Sequence, residues 1–315
     1  STWPGNGQQN MPDALNRRYL EQPQTPANPT ANSTSVLPDG YAVWTGGAVN
    51  FGSRDTTASA SGFDFTTAGI SAGIDKRISS SFALGAGVGY GHDDTSVGND
   101  GSQVNADSYN VAFYGSFSPT QSTFVDGLIG YQWLSFDARR FVTADGNTVN
   151  GHRSGDQVFA SLSVGYEYRT DTYLISPYGR IDDASAHLNG YTEQGDDIYA
   201  LSYQNQTVRT TTGSLGVRAD YLIKEDYGTV MPQIRVEYEH DFQGSSQATM
   251  SYADLLAGPI YSAQVDPLTQ NHFMIGIGVN WQFNNHWLLK LEYENMINAG
   301  DQNDQSILIN VQKKF

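Results

Sequence analysis

The 315-residue sequence contains no cysteine. That absence excludes disulfide bonds and thiolate metal ligands, and it suits a chain that crosses an oxidising compartment unfolded. Basic residues are also scarce, because 17 Lys and Arg stand against 33 Asp and Glu, for a formal net charge of −16. Since nucleic-acid binding depends on neutralising phosphates, we expect no nucleic-acid partner.

Long apolar runs and strong helical patterns are missing as well. No run of about 18 apolar residues occurs, so we expect no membrane-spanning helix. A membrane barrel stays possible, because its strands average a lipid face with a polar face and therefore escape hydropathy analysis. No signal peptide is visible at Ser1, and we expect either that one has been removed or that the chain is a fragment.

What the sequence does contain is alternation with a period of two. In the last segment, 305–315, one parity is apolar and the other is polar or charged, and 287–294 repeats the pattern. This period places the two sets on opposite faces of a strand. Similar segments recur from Tyr41 onward and predict twelve strands: 41–51, 63–77, 81–92, 104–118, 121–140, 154–170, 172–190, 200–223, 228–244, 270–284, 286–297 and 303–315.

The predicted connections alternate in length. Short ones fall near residues 79, 119, 171, 225 and 285, and long ones cover 52–62, 92–103, 141–153, 191–199, 245–269 and 298–302. Outer-membrane barrels have short periplasmic turns and longer extracellular loops. The pattern therefore predicts an all-β fold, a twelve-stranded antiparallel transmembrane barrel over 41–315, with long loops extracellular and both barrel ends periplasmic.

Aromatic residues gather at the ends of these strands, as they do at membrane interfaces. In a membrane barrel the apolar parity faces lipid and the charged parity faces the lumen; buried core aromatics in a soluble fold are the alternative interpretation. The aromatic positions are Tyr90, Tyr131, Trp133, Tyr166, Tyr168, Tyr221, Tyr238, Trp281, Phe283, Trp287, Tyr293 and Phe315.

Residues 1–40 differ in composition from the rest, with six prolines and many Asn, Gln, Ser and Thr. Pro12 and Asp13 suit the first turn of a short helix over 12–21, and the prolines after Glu21 end it. We predict a linker that contains this one short helix.

Seven segments, in order, resemble the autotransporter β-domain, the C-terminal translocator of type V secretion, over about 41–315. They are 41–47 (YAVWTGG), 82–90 (FALGAGVGY), 104–109 (VNADSY), 124–127 (FVDG), 176–180 (SPYGR), 215–218 (LGVR) and 231–238 (MPQIRVEY), followed by the terminal Phe315.

The resemblance implies an outer-membrane barrel that delivers its own N-terminal passenger to the cell surface, with a helical linker threading the pore. It also implies partners: periplasmic chaperones, and the barrel-assembly machinery, which recognises the terminal strand. A membrane barrel has outer-membrane lipid and lipopolysaccharide around it, and we expect a monomer. By this resemblance the assembly signal consists of Ile307, Ile309, Val311 and Phe315. Lys313 departs from the family pattern, which more often has an aromatic or apolar residue there.

The residues predicted to face the lumen differ in type from one side of the barrel wall to the other. Glycines on strands two and three suggest that another chain passes close by, and we place residues 11–22 there, with Arg17 and Arg18 toward an acidic wall. Small residues that merely accommodate barrel curvature are the open alternative. The predicted lumen-lining residues are Gly85, Gly87, Gly89, Arg180, Asp182, Arg218, Asp220, Arg235, Glu237, Glu239, Lys290, Glu292 and Glu294.

Catalytic and metal motifs are weak. Residues 69–73 match G-x-S-x-G, yet they lie mid-strand without the helix that a nucleophile elbow needs. The six histidines have no metal-ligand spacing. We therefore expect no enzyme activity, no cofactor and no metal. Two other functions stay open: an adhesin that binds through its long loops, and an outer-membrane hydrolase of the phospholipase or omptin kind.

Overall fold

The barrel is built from antiparallel strands joined to their sequence neighbours. The structure, a computed structural model, describes residues 37–38, 40–56, 61–242, 246–253, 260–265, 270–298 and 302–315. The predicted linker helix and residues 17 and 18 lie outside them. The strands are β1 Tyr41–Arg54, β2 Phe63–Ser79, β3 Phe82–Val97, β4 Ser102–Thr120, β5 Thr123–Phe141, β6 Thr148–Tyr166, β7 Tyr168–Arg169, β8 Tyr173–Leu188, β9 Tyr191–Thr192, β10 Leu201–Tyr203, β11 Gln206–Tyr221, β12 Ile223–Glu225, β13 Gly228–Asp241, β14 Ser246–Tyr252, β15 Tyr261–Val265, β16 Asn271–Phe283, β17 Trp287–Asn298 and β18 Gln302–Lys314.

Twelve of these strands close into a barrel, which confirms the predicted fold. Each pairs with the next around the wall, in the order β1, β2, β3, β4, β5, β6, β8, β11, β13, β16, β17 and β18. The first and last strands close it, from Ala42 opposite Lys314 to Arg54 opposite Gln302. Closure leaves no unpaired edge among these strands, as a barrel in lipid requires.

The two ends of the barrel differ. At the short-turn end, residues 80–81, 121–122, 170–172, 226–227 and 284–286 connect the strands. His286 has a φ of 67°, the one positive φ outside glycine in the described residues, and its N–H donates to the Phe283 carbonyl. At the long-loop end, the segments 55–62, 98–101, 142–147, 189–205, 242–270 and 299–301 connect them.

Burial alternates along every barrel strand, with the apolar parity outward. Leu215 is 68% exposed and Phe113 is 65% exposed, whereas Arg218 and Glu237 are fully buried. A water-soluble barrel has the reverse arrangement. The exposed apolar band is therefore the face that meets lipid. No helix in the described part of the chain is long and apolar enough to cross a membrane.

A small second sheet, not predicted from the sequence, lies at the long-loop end. It has the order β15, β14, β10, β9 and combines the connections 189–205 and 242–270. A cluster of three buried residues at the same end consists of Val142, Val149 and Ala200, which lie on β6 and on the connections 142–147 and 189–205. The predicted single strand 200–223 is correspondingly wrong in detail, since the chain forms β10 in this sheet before it enters the barrel as β11.

Candidate functional site: the barrel lumen

The charged residues of β8, β11, β13 and β17 form one wall of the lumen. Arg180 on β8 is at its centre: its guanidinium lies 2.8 Å from Asp182, 3.0 Å from Glu237 and 3.1 Å from Glu239. Ion pairs out of water stabilise only when the geometry is good and the remaining polar atoms are bonded. The Tyr178 hydroxyl donates a further hydrogen bond to Glu237.

A second basic centre continues this wall. Arg235 on β13 lies 3.1 Å from Glu292 and 3.4 Å from Glu237, and it also pairs with Glu294. Lys290 pairs with Glu292 on β17 itself. The lumen wall thus links β8, β13 and β17 through charged side chains that reach over the intervening strands β11 and β16.

The structure brings all ten predicted charged lumen residues to this wall. They contribute four cations and six carboxylates, and Arg218 pairs within β11 with Asp220 at 3.5 Å. The wall therefore carries more negative than positive charge. An acidic lining attracts cationic segments of a chain and repels acidic ones.

Gly216 explains how Arg180 and Tyr178 reach Glu237, which is two strands away. It lies on β11, between β8 and β13, and a Cβ there would be 2.6 Å from Tyr178 Cζ and 2.8 Å from Glu237 Cγ. Gly276 on β16 has the same place between Arg235 and Glu292, 3.0 Å from a Glu292 oxygen. Only glycine leaves space for side chains to meet over the intervening strand.

The opposite wall is built on aromatic rings and is not charged in the same way. Trp44 Nε1 on β1 donates a 2.6 Å hydrogen bond to the Tyr114 hydroxyl on β4. That hydroxyl donates to Asp75, whose other oxygen accepts from Gln312 Nε2 at 3.3 Å. Tyr114 and Trp44 pack with Phe159 and Ala112 as a buried cluster inside the barrel.

Two of the three predicted glycines of β3 lie beneath these rings, and the third lies beneath an asparagine. A Cβ on Gly85 would overlap with the Tyr114 ring, one on Gly87 would be 2.9 Å from Trp44, and one on Gly89 would be 2.8 Å from Asn110. The side chains that approach these three glycines thus belong to the barrel itself. Whether residues 11–22 pass there as well stays a prediction, because they lie outside the described residues.

Several lumen residues were missed in the sequence. Trp44, Tyr114, Asp75 and Gln312 have the inward parity of their strands, and that parity was a usable signal. Their contacts were not predictable, because Trp44 and Tyr114 are 70 positions apart. Within the described residues, no three His, Asp or Glu side chains are grouped in a way that could hold a metal ion.

The predicted assembly-signal residues are placed on β18. Ile307 and Ile309 point outward and are 40% and 49% exposed, while Ser306 and Gln312 on the other parity are buried. Val311 and Phe315 share the outward parity, and Phe315 N–H donates to the Tyr41 carbonyl at 2.9 Å. The terminal strand thus presents an apolar face outward from Ile307 to Val311, and Lys313 interrupts it before Phe315.

Comparison with known families gives the chain its class. A family model described as the autotransporter beta-domain matches residues 43–294. The chain belongs to the autotransporter β-domain family. It is an outer-membrane translocator domain of type V secretion, and the Gram-negative outer membrane is where such a barrel resides.

The similar proteins are longer. An extracellular serine protease of Serratia marcescens is 22% identical over 91% of this chain, and outer membrane protein A of Rickettsia rickettsii is 21% identical over 84%. This chain matches only 28% and 12% of the length of those two proteins. They therefore give no established activity to this chain.

Solved structures agree with the barrel fold. The translocator domain of the autotransporter NalP from Neisseria meningitidis has a TM-score of 0.71 at 16% identity, covering 88% of this chain and 89% of that one. The transport unit of AIDA-I from Escherichia coli has a TM-score of 0.62 at 15% identity, covering 100% of both chains. At these identities the likeness shows the fold alone.

Proposed function

We propose that this barrel carries an N-terminal passenger across the outer membrane, that its short-turn end faces the periplasm, and that its own residues perform no catalysis. The observation that carries the proposal is that apolar side chains face outward and charged side chains face the lumen, the reverse of a water-soluble barrel. Arg180 and Arg235 connect the charged wall of the lumen through ion pairs. Further proposed partners are the barrel-assembly machinery, which would read the outward face of β18, periplasmic chaperones and lipopolysaccharide.

Orientation is testable with single cysteines, because the chain has none of its own. Ala144→Cys lies in the connection 142–147 and Gln121→Cys lies in the turn 121–122. A membrane-impermeant maleimide applied to intact cells is expected to label position 144 and to leave position 121 unlabelled until the outer membrane is opened. Labelling of position 121 in intact cells would show that the short-turn end faces the outside of the cell and would contradict the proposed orientation.

Transit of the N-terminal segment is testable by attaching an epitope ahead of Ser1. Protease added to intact cells is expected to remove the epitope and leave the barrel intact. If the epitope stays protected in intact cells while position 144 is labelled, the barrel is correctly inserted but does not translocate its N-terminal segment, and the proposed function is contradicted.

The path of the linker is a separate proposal, in which Arg17 and Arg18 face the acidic wall described above. A disulfide between Arg17→Cys and Glu237→Cys is expected in the folded chain, since a segment inside the lumen brings the two positions together. Arg17→Cys with Val217→Cys is the matched control, because Val217 points outward on the neighbouring strand and is 47% exposed. Equal cross-linking in both pairs would contradict the path.

Adhesion is a second candidate function, favoured by the small sheet at the long-loop end. Tyr191 and Tyr203 stack there at 4.7 Å, Arg153 lies 5.8 Å from the Tyr191 ring, and Arg140 pairs with Glu193. These contacts and the pairing of β10 with β14 join the described parts of the two connections into one surface. Cells that produce the chain without any passenger would bind a host matrix if adhesion resides here, and would fail to bind if it does not.

A further inference from the structure

Two lysines and three aromatic residues form a patch on the outside of the barrel at the short-turn end. We call these five residues the seam patch, because they surround the pairing of β1 with β18. The register places Lys313 of β18 between Trp287 and Val43, and Lys76 of β2 beside Tyr41. Its members are Tyr41, Lys76, Trp287, Lys313 and Phe315.

Each lysine lies over an aromatic ring. Lys76 Nζ is 5.1 Å from the centroid of Tyr41, and Lys313 Nζ is 5.1 Å from the centroid of Trp287. Lys313 also donates one hydrogen bond of 2.7 Å to the Asn285 carbonyl. Cation–π contacts hold the ammonium groups at the edge of the apolar band. Each ammonium has three N–H donors, so Lys313 has donors beyond the one that bonds Asn285.

The height of the patch matches the boundary between acyl chains and headgroups. Further along the same strands, Ile74 and Ile309 are exposed on the apolar exterior. Tyr and Trp mark the membrane interface, and lysines close to it extend their amines toward the headgroups. The two ammonium groups therefore lie at the end of the apolar band, where lysine amines can reach headgroups.

The local charge is positive. The neighbouring turns 80–81 and 284–286 have no carboxylate, and Asp75 points into the lumen, where Tyr114 and Gln312 bond it. Four cations lie near one another in sequence and register here: Lys76, Arg77, Lys313 and Lys314. Asp39 lies outside the described residues.

The far side of the same end shows no such excess. There Lys224 is followed directly by Glu225 and Asp226, and Arg169 pairs with Glu167 at 3.1 Å. The positive charge of the short-turn end is thus concentrated beside the seam.

We propose that the seam patch binds the headgroup of an anionic phospholipid, with Lys76 and Lys313 contacting its phosphate and the acyl chains along the outward face of β1 and β18. Two strand spacings and two residues along a strand separate the Cα atoms of the two lysines by about 12 Å, a gap that two long side chains close around one headgroup. The bound lipid spans the strand pair that closes the barrel. The inference requires only that the barrel lies in a bilayer.

The test is lipid retention by the intact chain, measured by native mass spectrometry from micelles with equal amounts of phosphatidylglycerol and phosphatidylcholine. A lysine near an anionic surface contributes about a fivefold preference, so the wild type is expected to favour phosphatidylglycerol by about 25-fold. Lys76→Gln with Lys313→Gln is expected to abolish the preference, and the double Lys→Arg variant is expected to keep it.

Lys224→Gln is the matched control, because it removes a lysine from the same end of the barrel away from the seam. Equal retention of the two lipids by the wild type, or a preference that survives Lys76→Gln with Lys313→Gln, would overturn the proposal. Surface delivery of an N-terminal epitope by the double Gln variant is read separately, so failure of lipid binding is distinguishable from failure of translocation.

Discussion

Trp44 and Tyr114 are joined by a 2.6 Å hydrogen bond that crosses the barrel interior from β1 to β4. Two strands lie between them, and both have glycine at the lumen-facing positions underneath, Gly73 on β2 and Gly85 on β3. The charged wall repeats the arrangement with Gly216 and Gly276. Lumen-facing glycines therefore decide which side chains meet inside this barrel.

The Trp44–Tyr114 bond is testable by a double-mutant cycle. Trp44→Phe removes the indole donor and is expected to lower the free energy of unfolding by about 0.5–1.5 kcal/mol, plus a packing contribution. Tyr114→Phe removes the acceptor and also the bond to Asp75. Urea unfolding in micelles is the measurement, and the two losses are expected to be non-additive because the residues are in contact. Additive losses would show that the bond contributes nothing.

Gly216→Ala is expected to destabilise the barrel by about 1–3 kcal/mol. The new methyl overlaps with Tyr178 and Glu237 and forces them from the positions that bond Arg180. Gly127→Ala is the matched control, because nothing lies within 4 Å of a Cβ there, and alanine restricts the unfolded chain. A Gly216→Ala barrel as stable as the control would disprove the role assigned to this glycine.

Arg235→Met is expected to cost about 1–3 kcal/mol, because Glu294 and Glu292 lose a buried partner, although Lys290 still pairs with Glu292. Arg209→Met removes an exposed pair with Asp183 on the outside of the barrel and is expected to cost at most about 1 kcal/mol. Thermal unfolding of both variants in the same detergent compares them directly. Equal losses would mean that the lumen wall is solvated like the exterior.

The strands and their faces were predictable because a period of two is a local signal. Ile307 and Ile309 on one parity, with Ser306 on the other, fix both the strand and its lipid face from a few consecutive residues. The ten charged lumen residues followed from the same alternation. The short and long connections gave the topology, since each strand pairs with its sequence neighbour.

Contacts between distant segments were not predictable. β10 pairs with β14 in the second sheet through Ser202 opposite Ser251, and nothing local to either connection specifies that pairing. The glycines of β3 were interpreted as space for a passing chain, yet the sequence carries no record that Trp44 and Tyr114 lie over them. Which glycine lies beneath which ring depends on barrel curvature and on strand register, both of which emerge only on closure.

The outward-facing apolar side chains can be tested by placing a charge among them at two depths. Ile277 lies in the middle of β16 and is 55% exposed on the outward face, so Ile277→Arg places a charge near the bilayer midplane and is expected to cost about 2–4 kcal/mol. Phe273→Arg has the same parity four residues toward the long-loop end, where the cost is expected to fall to about 0–1 kcal/mol. Unfolding by urea in phospholipid vesicles measures both. A cost that does not depend on depth along β16 would mean that this face packs against protein and not against lipid.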